Sequence, residues 1–190
     1  EHITFTGNHI SMASFDFIYD RVITVNGVSK AYAMTGWRIG YIGAPLWIAK
    51  ACNKLQGQFT SGVCSIAQRA ALAAIKSKSD SKKIMRDAFL RRRDLICSLL
   101  KEIKGMKVRV PQGAFYVLPD ISAFLGKTDG NKVIKDSDDL ALYLLDKAQV
   151  AMVGGTAFGA PEFIRISYAA ADEKLIEAVK RIKEALGKLK

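Results

Sequence analysis

Residues 25–41, VNGVSKAYAMTGWRIGY, decide how the rest of the chain is interpreted. The stretch leaves a short apolar run, presents one lysine, Lys30, and eight positions later presents one arginine, Arg38, among glycines and small residues. It contains no Asp or Glu, so neither cation has an acidic neighbour within it. A surface loop would spread its charges among Ser, Asn and Asp, so the role of these two cations needs an explanation.

Lys30 has a setting that can make a lysine reactive. A lysine is a nucleophile only when its ammonium has lost a proton, which partial burial and a nearby cation both favour. Such an amine can form an imine with an aldehyde cofactor, and the Arg38 fork suits a phosphate at the opposite end of that cofactor. Ser29 adds a hydroxyl, and the glycines let the backbone approach closely. The alternative is that Lys30 is a solvated charge in a turn, as most lysines are.

Composition and charge exclude several classes of protein. The chain has 190 residues, of which 49% are hydrophobic and 25% charged, and no apolar run is long enough for a transmembrane helix. The formal net charge is +11, which by itself suggests a nucleic-acid partner. However, the cations are scattered, and the densest run, residues 91–93, has acids beside it and no interleaved aromatics. A basic binding module therefore stays the less favoured alternative.

The cysteines and the first residues bear on the compartment. Cys52, Cys64 and Cys97 show no CxxC spacing, which argues against a disulfide framework or a zinc site and indicates a reducing compartment. Each is expected to be a small buried apolar residue. The chain does not begin with Met and has no basic head followed by an apolar block, so we expect no signal peptide and a chain cut from a longer one.

Strand and helix patterns alternate along the chain, which predicts a layered α/β or α+β architecture. Short β-branched or apolar runs predict strands, at residues 21–27, 38–45, 106–111, 114–119, 150–155 and 163–169. Helical periodicity and capping signals predict helices at residues 46–58, 64–76 and 84–105, one capped by Asp136 or Ser137, and a last one from Asp172 to Gly187. A change in pattern near residue 80 predicts two structural parts.

The stretch that carries Lys30 resembles a known family signature. Residues 27–30, 34–36 and 38–41 together match the pyridoxal-phosphate signature of the class I/II (fold type I) aminotransferases without a mismatch. The resemblance extends from about residue 21 to the last helix and is nearest to the aspartate/prephenate aminotransferase subgroup. It implies that Lys30 carries pyridoxal 5'-phosphate as an imine and moves the substrate proton, and that Arg38 and Ser29 hold the cofactor phosphate.

Arg165 is the second candidate site residue. The resemblance implies that it grips the substrate α-carboxylate with a bidentate fork. Strand alternation would put Phe163, Arg165 and Ser167 on one face. The alternative is that Arg165 simply points outward from an apolar strand.

Two further segments resemble parts of the family site. The sequence PQGAFY, residues 111–116, is similar to the substrate-side strand, which implies that Gly113 and Phe115 approach the pocket; the alternative is a glycine turn into a core strand. The loop at residues 57–68 is similar to the segment that reaches the cofactor of the neighbouring subunit, which implies contacts by Thr60 and Ser61. The alternative there is a helix N-cap by Ser61 or Ser65.

The resemblance also implies the domain organisation. Residues 1–80 would be the C-terminal portion of the large cofactor-binding domain, with a mixed, mostly parallel sheet. Residues 81–190 would be the small α+β domain, starting in the long connecting helix. The implied protein is a homodimer in the plastid stroma or cytoplasm, soluble, without metal, nucleic acid or membrane.

The implied reaction is amino-group transfer between an amino acid of the aspartate or glutamate type and a 2-oxo acid, namely oxoglutarate, oxaloacetate or prephenate. The alternatives are a pyridoxal-phosphate-dependent β-lyase or a cyclopropane-carboxylate synthase of the same fold, and a non-catalytic fragment. In the family, an acid at the pyridine nitrogen helps to make the ring an electron sink. The present sequence does not include that acid. We therefore expect the C-terminal half of an aminotransferase that is inactive alone.

Overall fold

The computed structural model describes all 190 residues, and the chain forms two compact units, Glu1–Met85 and Arg86–Lys190. Helices and small sheets alternate in both units, so the α/β class predicted from the sequence is confirmed. The predicted division after residue 80, and the assignment of the two parts to domains of a larger protein, stay predictions.

The first unit contains one pair of antiparallel strands. β1 (Thr24–Gly27) pairs with β2 (Gly40–Gly43) in a register that runs from Thr24 opposite Gly43 to Gly27 opposite Gly40. Both strands are shorter than predicted. Asp16–Arg21 forms a 3-10 helix instead of the start of a strand, and Arg38, before β2, has a left-handed φ of 56°.

The mostly parallel sheet predicted for this part is not formed within the chain. Parallel neighbours need a crossover connection of a dozen or more residues, usually a helix. Here the connection between β1 and β2 returns without crossing over, so the pair is antiparallel. The sheet of the second unit is antiparallel as well.

Two helices complete the first unit. α1 (Leu46–Phe59) follows Pro45, whose fixed φ of −50° suits a helix start. α2 (Ser65–Lys76) follows Cys64. These bounds agree with the predicted helices to within one residue. Two residues of α2 pack on the ends of the hairpin in a small apolar cluster, which comprises Val28, Ile39, Ala67 and Ala71, with Tyr32 and Met34 beside them.

The second unit is built on a three-stranded sheet with helices. α3 (Ser81–Lys101) begins in the first unit and continues into the second. The remaining elements are β3 (Tyr116–Val117), α4 (Ser137–Ala148), β4 (Val153–Gly154), β5 (Ile164–Ser167) and α5 (Asp172–Leu186). The strand order is β3-β5-β4, so β5 is the central strand. The core of the second unit includes fully buried side chains, among them Leu100, Ile121, Ile134, Leu140, Ile164 and Ile182.

Two element predictions in this unit are wrong. Residues 106–111 form no strand; Lys107 makes only an isolated bridge to Asp120, and Pro111, which has no N–H, cannot extend a ladder. Asp172 does not cap α5, because Ala171 holds the N-cap position. The Asp172 carboxylate instead pairs with Arg91 and, at 3.4 Å, with the Nε of Arg92 on α3.

The cysteines are all free, but only one is buried as predicted. Cys97 lies in the core of the second unit, whereas Cys52 and Cys64 are exposed. The reason for Cys52 is that α1 buries none of its residues within this chain. No helix combines the length and the apolar character needed to cross a membrane.

Candidate active site

The loop between β1 and β2 carries three of the predicted site residues at one end of the hairpin. Ser29 and Lys30 follow β1, and Arg38 precedes β2. The base of the loop is closed by the N–H of Val28, which donates to the carbonyl of Ile39 at 3.4 Å. Because Val28 and Ile39 are both buried, the loop is anchored to the core at each end.

Gly27 allows the two ends of this loop to approach each other. A Cβ at position 27 would lie 3.0 Å from the carbonyl oxygen of Ile39 and 3.4 Å from the Cα of Gly40. Both of these are backbone atoms, so they cannot rotate away as a side chain can. Glycine here is therefore required by the close strand pairing below Ser29 and Lys30.

Lys30 lies in a turn and is exposed. Its carbonyl accepts a hydrogen bond from the N–H of Ala33 at 3.2 Å, and the N–H of Tyr32 donates to the carbonyl of Val28 at 3.3 Å. The partial burial expected for Lys30 is not found. Val28 is buried and Ser29 half-buried, but Lys30 itself is exposed. No carboxylate lies within 4.0 Å of its amine.

Arg38 is exposed. Its Nη1 donates to the carbonyl of Thr35 at 2.9 Å, which fixes one corner of the group. The left-handed φ of 56° at Arg38 is unusual for a residue with a side chain. Such backbone strain clusters at functional sites. Neither Arg38 nor the half-buried Ser29 has a carboxylate partner.

The donor chemistry of this loop fits an anionic cofactor group. A hydroxyl, an amine and a guanidinium lie within a ten-residue stretch, Ser29 to Arg38, that contains no acid. Charge-assisted hydrogen bonds from arginine are well suited to phosphate. The residues present are thus compatible with pyridoxal phosphate, with Arg38 and Ser29 toward its phosphate and Lys30 toward its aldehyde.

The loop between α1 and α2 shares a cavity with Arg38. This cavity has a volume of about 790 Å³, and its lining includes Trp37, Arg38, Thr60 and Cys64. Ser61, with a left-handed φ of 60°, lines an adjacent cavity of about 570 Å³. The structure therefore brings Thr60 and Arg38 to one cavity and Ser61 to another.

The alternative interpretation of this loop, a helix N-cap, is not supported. The N-cap residue of α2 is Cys64, and no side chain there accepts a capping hydrogen bond. Ser61 lies outside the helix, and Ser65 is already its first residue. Gln56, which sequence reasoning missed, donates from Nε2 to the Thr60 hydroxyl at 3.2 Å and lines both cavities.

Arg165 lies on the central strand of the second unit, close to two aromatic rings. Ile164 and Ile166 are buried and Arg165 is half-buried, so the predicted alternation along β5 is observed. The guanidinium carbon lies 4.6 Å from the ring centroid of Tyr116 and 4.5 Å from that of Phe158. No carboxylate in the chain pairs with Arg165. Sequence reasoning missed both rings, because Tyr116 is far from β5 in sequence and Phe158 reaches Arg165 only through the connection between β4 and β5.

Gly113 and Phe115 lie in the irregular segment before β3. The Phe115 ring stacks on Phe89 with centroids 5.4 Å apart, and its carbonyl accepts a hydrogen bond from the N–H of Tyr168 at 3.0 Å. The Tyr168 hydroxyl donates to the carbonyl of Ala114 at 3.1 Å. Burial raises the pKa of Tyr168 to about 12. Gly113 is half-buried, and the segment that follows it is fastened to Tyr168, the residue after β5.

Comparisons with known proteins agree with the sequence signature. The profile of the family described as aminotransferase class I and II matches residues 3–182. A bifunctional aspartate aminotransferase and glutamate/aspartate-prephenate aminotransferase of Petunia hybrida is 49% identical over 195 residues, which cover 100% of this chain and 41% of the relative. An aspartate/prephenate aminotransferase of Cereibacter sphaeroides is 49% identical over 184 residues, 92% of this chain and 46% of the relative.

The fold is likewise similar to crystal structures. The aspartate aminotransferase of Rhizobium meliloti superimposes with a TM-score of 0.93 at 45% identity, covering 100% of this chain and 48% of that chain. An aromatic aminotransferase of Pyrococcus horikoshii superimposes with a TM-score of 0.88 at 38% identity, covering 98% of this chain and 49% of that chain. The present chain thus spans less than half the length of these relatives.

Proposed function

Because the chain belongs to the class I and II aminotransferase family, we propose that the complete protein transfers an amino group between an amino acid and a 2-oxo acid. The amino acid is of the aspartate or glutamate type, and the oxo acid is oxoglutarate, oxaloacetate or prephenate. The names of the Petunia and Cereibacter relatives support this choice of substrates. This chain alone, which spans under half of those relatives, would give no turnover.

The cofactor that we propose is pyridoxal 5'-phosphate. When bound, it supplies an aldehyde that takes up the amino group and an electron-withdrawing ring that lowers the barrier to proton removal from the substrate α-carbon. The Nζ of Lys30 would hold the cofactor covalently between turnovers and move that proton during them. Arg38 and Ser29 would donate hydrogen bonds to the cofactor phosphate.

The other predicted residues would act on the substrate or in a dimer. Arg165 would bind the α-carboxylate through a bidentate fork, with Gly113 and Phe115 on the substrate side. Thr60 and Ser61 would contact the cofactor of the neighbouring subunit in a homodimer.

We also propose the organisation given by the sequence. Residues 1–80 would be the end of the cofactor-binding domain and residues 81–190 the small domain. The compact units Glu1–Met85 and Arg86–Lys190 support a boundary in this region. A plastid stroma or cytoplasm would be the compartment, which the three free cysteines support.

The observation that carries the proposal is the acid-free loop with Ser29, Lys30 and Arg38 at one end of a closed hairpin. The test is glutamate formation from aspartate and 2-oxoglutarate by the complete protein and its Lys30→Ala variant. We expect the substitution to lower kcat by at least about 1000-fold, the scale of a lost acid–base group. Lys50→Ala, which changes an exposed lysine of α1, is the matched control. Unchanged turnover in Lys30→Ala would contradict the proposal. So would release of pyruvate and ammonia from a sulfur amino acid by a protein that forms no glutamate from aspartate.

A further inference from the structure

We propose that Tyr116 and Phe158 form an aromatic clamp that fixes the plane of the Arg165 guanidinium and so positions it for a planar carboxylate. The inference rests on the proposed function, because it concerns the residue to which we assign the substrate α-carboxylate. Tyr116 and Phe158 are positioning residues here, acting through Arg165.

Both rings lie close to one guanidinium, at nearly equal distances from its central carbon. The guanidinium carbon is 4.6 Å from the Tyr116 centroid and 4.5 Å from the Phe158 centroid, well within the range of cation–π attraction. Tyr116 comes from β3, where it pairs with Ser167, and is therefore a diagonal neighbour of Arg165 across the sheet. Phe158 comes from the 3-10 helix Thr156–Phe158, which follows β4.

The loop that carries Phe158 is held by hydrogen bonds at its base. The N–H of Gly155 donates to the carbonyl of Phe163 and to the hydroxyl of Ser137, both at 2.9 Å. The N–H of Phe158 donates to the carbonyl of Gly155 at 2.8 Å. Ser137 is fully buried at the start of α4, so the loop is fastened to a helix and to the residue that precedes β5. Phe158 itself stays 50% exposed, which is high for a ring that serves only the core.

Tyr116 is supported from behind by a series of rings. Its centroid lies 4.3 Å from that of Phe115, which in turn lies 5.4 Å from that of Phe89 on α3. Phe89 is buried. The stack therefore runs from the core of the second unit to the Arg165 guanidinium.

The clamp has a chemical consequence for what Arg165 can bind. Rings that pack over a guanidinium leave its N–H edge for hydrogen bonds, and that edge matches a carboxylate bidentately. No carboxylate of the chain takes this edge. A guanidinium held in one plane also loses less conformational freedom when it binds, which strengthens binding without a new contact.

The test uses the complete protein and compares ring removal with ring conservation. Phe158→Leu and Tyr116→Leu remove a ring, Phe158→Tyr and Tyr116→Phe keep one, and Val153→Ala changes the strand neighbour directly opposite Arg165. We expect each ring removal to raise KM by about fivefold to tenfold for both the amino acid and the oxo acid, with kcat within about twofold. Both substrates are affected because both carry the α-carboxylate. The ring-conserving variants and Val153→Ala should stay within about twofold of the parent in KM.

Two further measurements separate the possible failures. Calorimetric titration with succinate, a non-reacting carboxylate, should show the same loss of affinity in the ring-removal variants without any turnover. If Arg165→Ala leaves KM and succinate affinity unchanged, the carboxylate role of Arg165 is wrong. If Arg165→Ala weakens binding but the ring-removal variants do not, or if they lower kcat at unchanged KM, the clamp is wrong. Circular dichroism checks folding, and Phe158→Met replaces Phe158→Leu if the latter does not fold.

Discussion

Gly27 is the residue on which the cation-bearing loop closes. A Cβ there would meet the carbonyl oxygen of Ile39 at 3.0 Å, and only a shift of the paired strand could relieve the contact. We expect Gly27→Ala to lower the free energy of unfolding by about 1–3 kcal/mol, as other overpacking substitutions do, and to weaken cofactor retention. Urea unfolding and absorbance of the bound cofactor measure both.

The control for this prediction lies in the same hairpin. Gly43, opposite Thr24, has nothing within 4 Å of its added Cβ, so Gly43→Ala should leave stability within about 0.5 kcal/mol of the parent. Equal effects of the two substitutions would mean that close strand pairing at position 27 is not what holds the loop.

Tyr168 is expected to make the folded protein less stable at high pH. Burial raises its pKa from 10.0 to about 12, so above pH 10 the unfolded chain loses the phenol proton while the folded chain keeps it. Stability therefore falls as pH rises from about 10 to about 12, by on the order of 2 kcal/mol. Burial also raises the pKa of Tyr143 and of Cys97, which adds to the fall.

The measurement is the urea midpoint at pH 8 and at pH 11. Tyr168→Phe removes the ionisable group, so its midpoint should fall less between the two pH values than that of the parent. Tyr19→Phe, at a tyrosine that is 65% exposed, should fall as much as the parent. An identical fall in Tyr168→Phe and the parent would show that another group controls alkaline unfolding.

Single residues were predictable where the signal is local in sequence. Lys30, Ser29 and Arg38 share one short stretch, so their spacing was enough to bring them to one loop. Tyr116 and Phe158 come to Arg165 from different segments, and only the strand pairing of the fold shows that they meet. The exposure of Lys30 was missed because the β-branched run before it predicts a buried strand. In the structure no residue of β1 is buried, and Val25 is 76% exposed.

At the scale of elements, the start of α4 shows a cap that the sequence predicts correctly. The Asp136 carboxylate accepts hydrogen bonds from the N–H groups of Asp138 and Asp139 at 3.0 and 2.8 Å. We expect Asp136→Ala to cost about 1 kcal/mol of stability, since two N–H groups lose their acceptor. Urea unfolding measures the change.

The same helix offers a matched control. Asp146 is 71% exposed and pairs only with its neighbour Lys147, so Asp146→Ala should change stability by less than about 0.5 kcal/mol. A loss as large in Asp146→Ala as in Asp136→Ala would point to the charge of α4 rather than to its cap.

Helices were easier to predict than strands, for a physical reason. α1 and α2 repeat their apolar spacing over three or more turns, whereas β3 and β4 have two residues each, too few for any alternation to register. Asp172 misled the prediction because an acid at a helix start can serve either the helix or a cation elsewhere. Here the Asp172 carboxylate forms ion pairs with Arg91 and Arg92 of α3.

At the scale of the whole molecule, the chain has much apolar surface exposed. On α1 the exposed fractions are 69% for Leu46, 72% for Trp47 and 83% for Phe59. Large apolar side chains with this exposure are typical of surfaces that another part of a protein covers. The chain spans less than half the length of its relatives, and we propose that the remainder of the protein and a second subunit cover this surface.

The sequence carries a local signal near the point where the two compact units meet along the chain. The polar break at residues 77–80 separates α2 from α3 and was visible as a loss of helical periodicity. The continuation of α3 from the first unit into the second was not, because a helix pattern does not show which body each turn packs against.

The proposed aminotransferase function depends most on covalent attachment of the cofactor to Lys30. Its direct test is borohydride reduction of the complete protein with pyridoxal 5'-phosphate, followed by peptide mass spectrometry. We expect one phosphopyridoxyl group, on the peptide that contains Lys30, and none in Lys30→Ala. A label on another lysine, or no label in the parent protein, would contradict it.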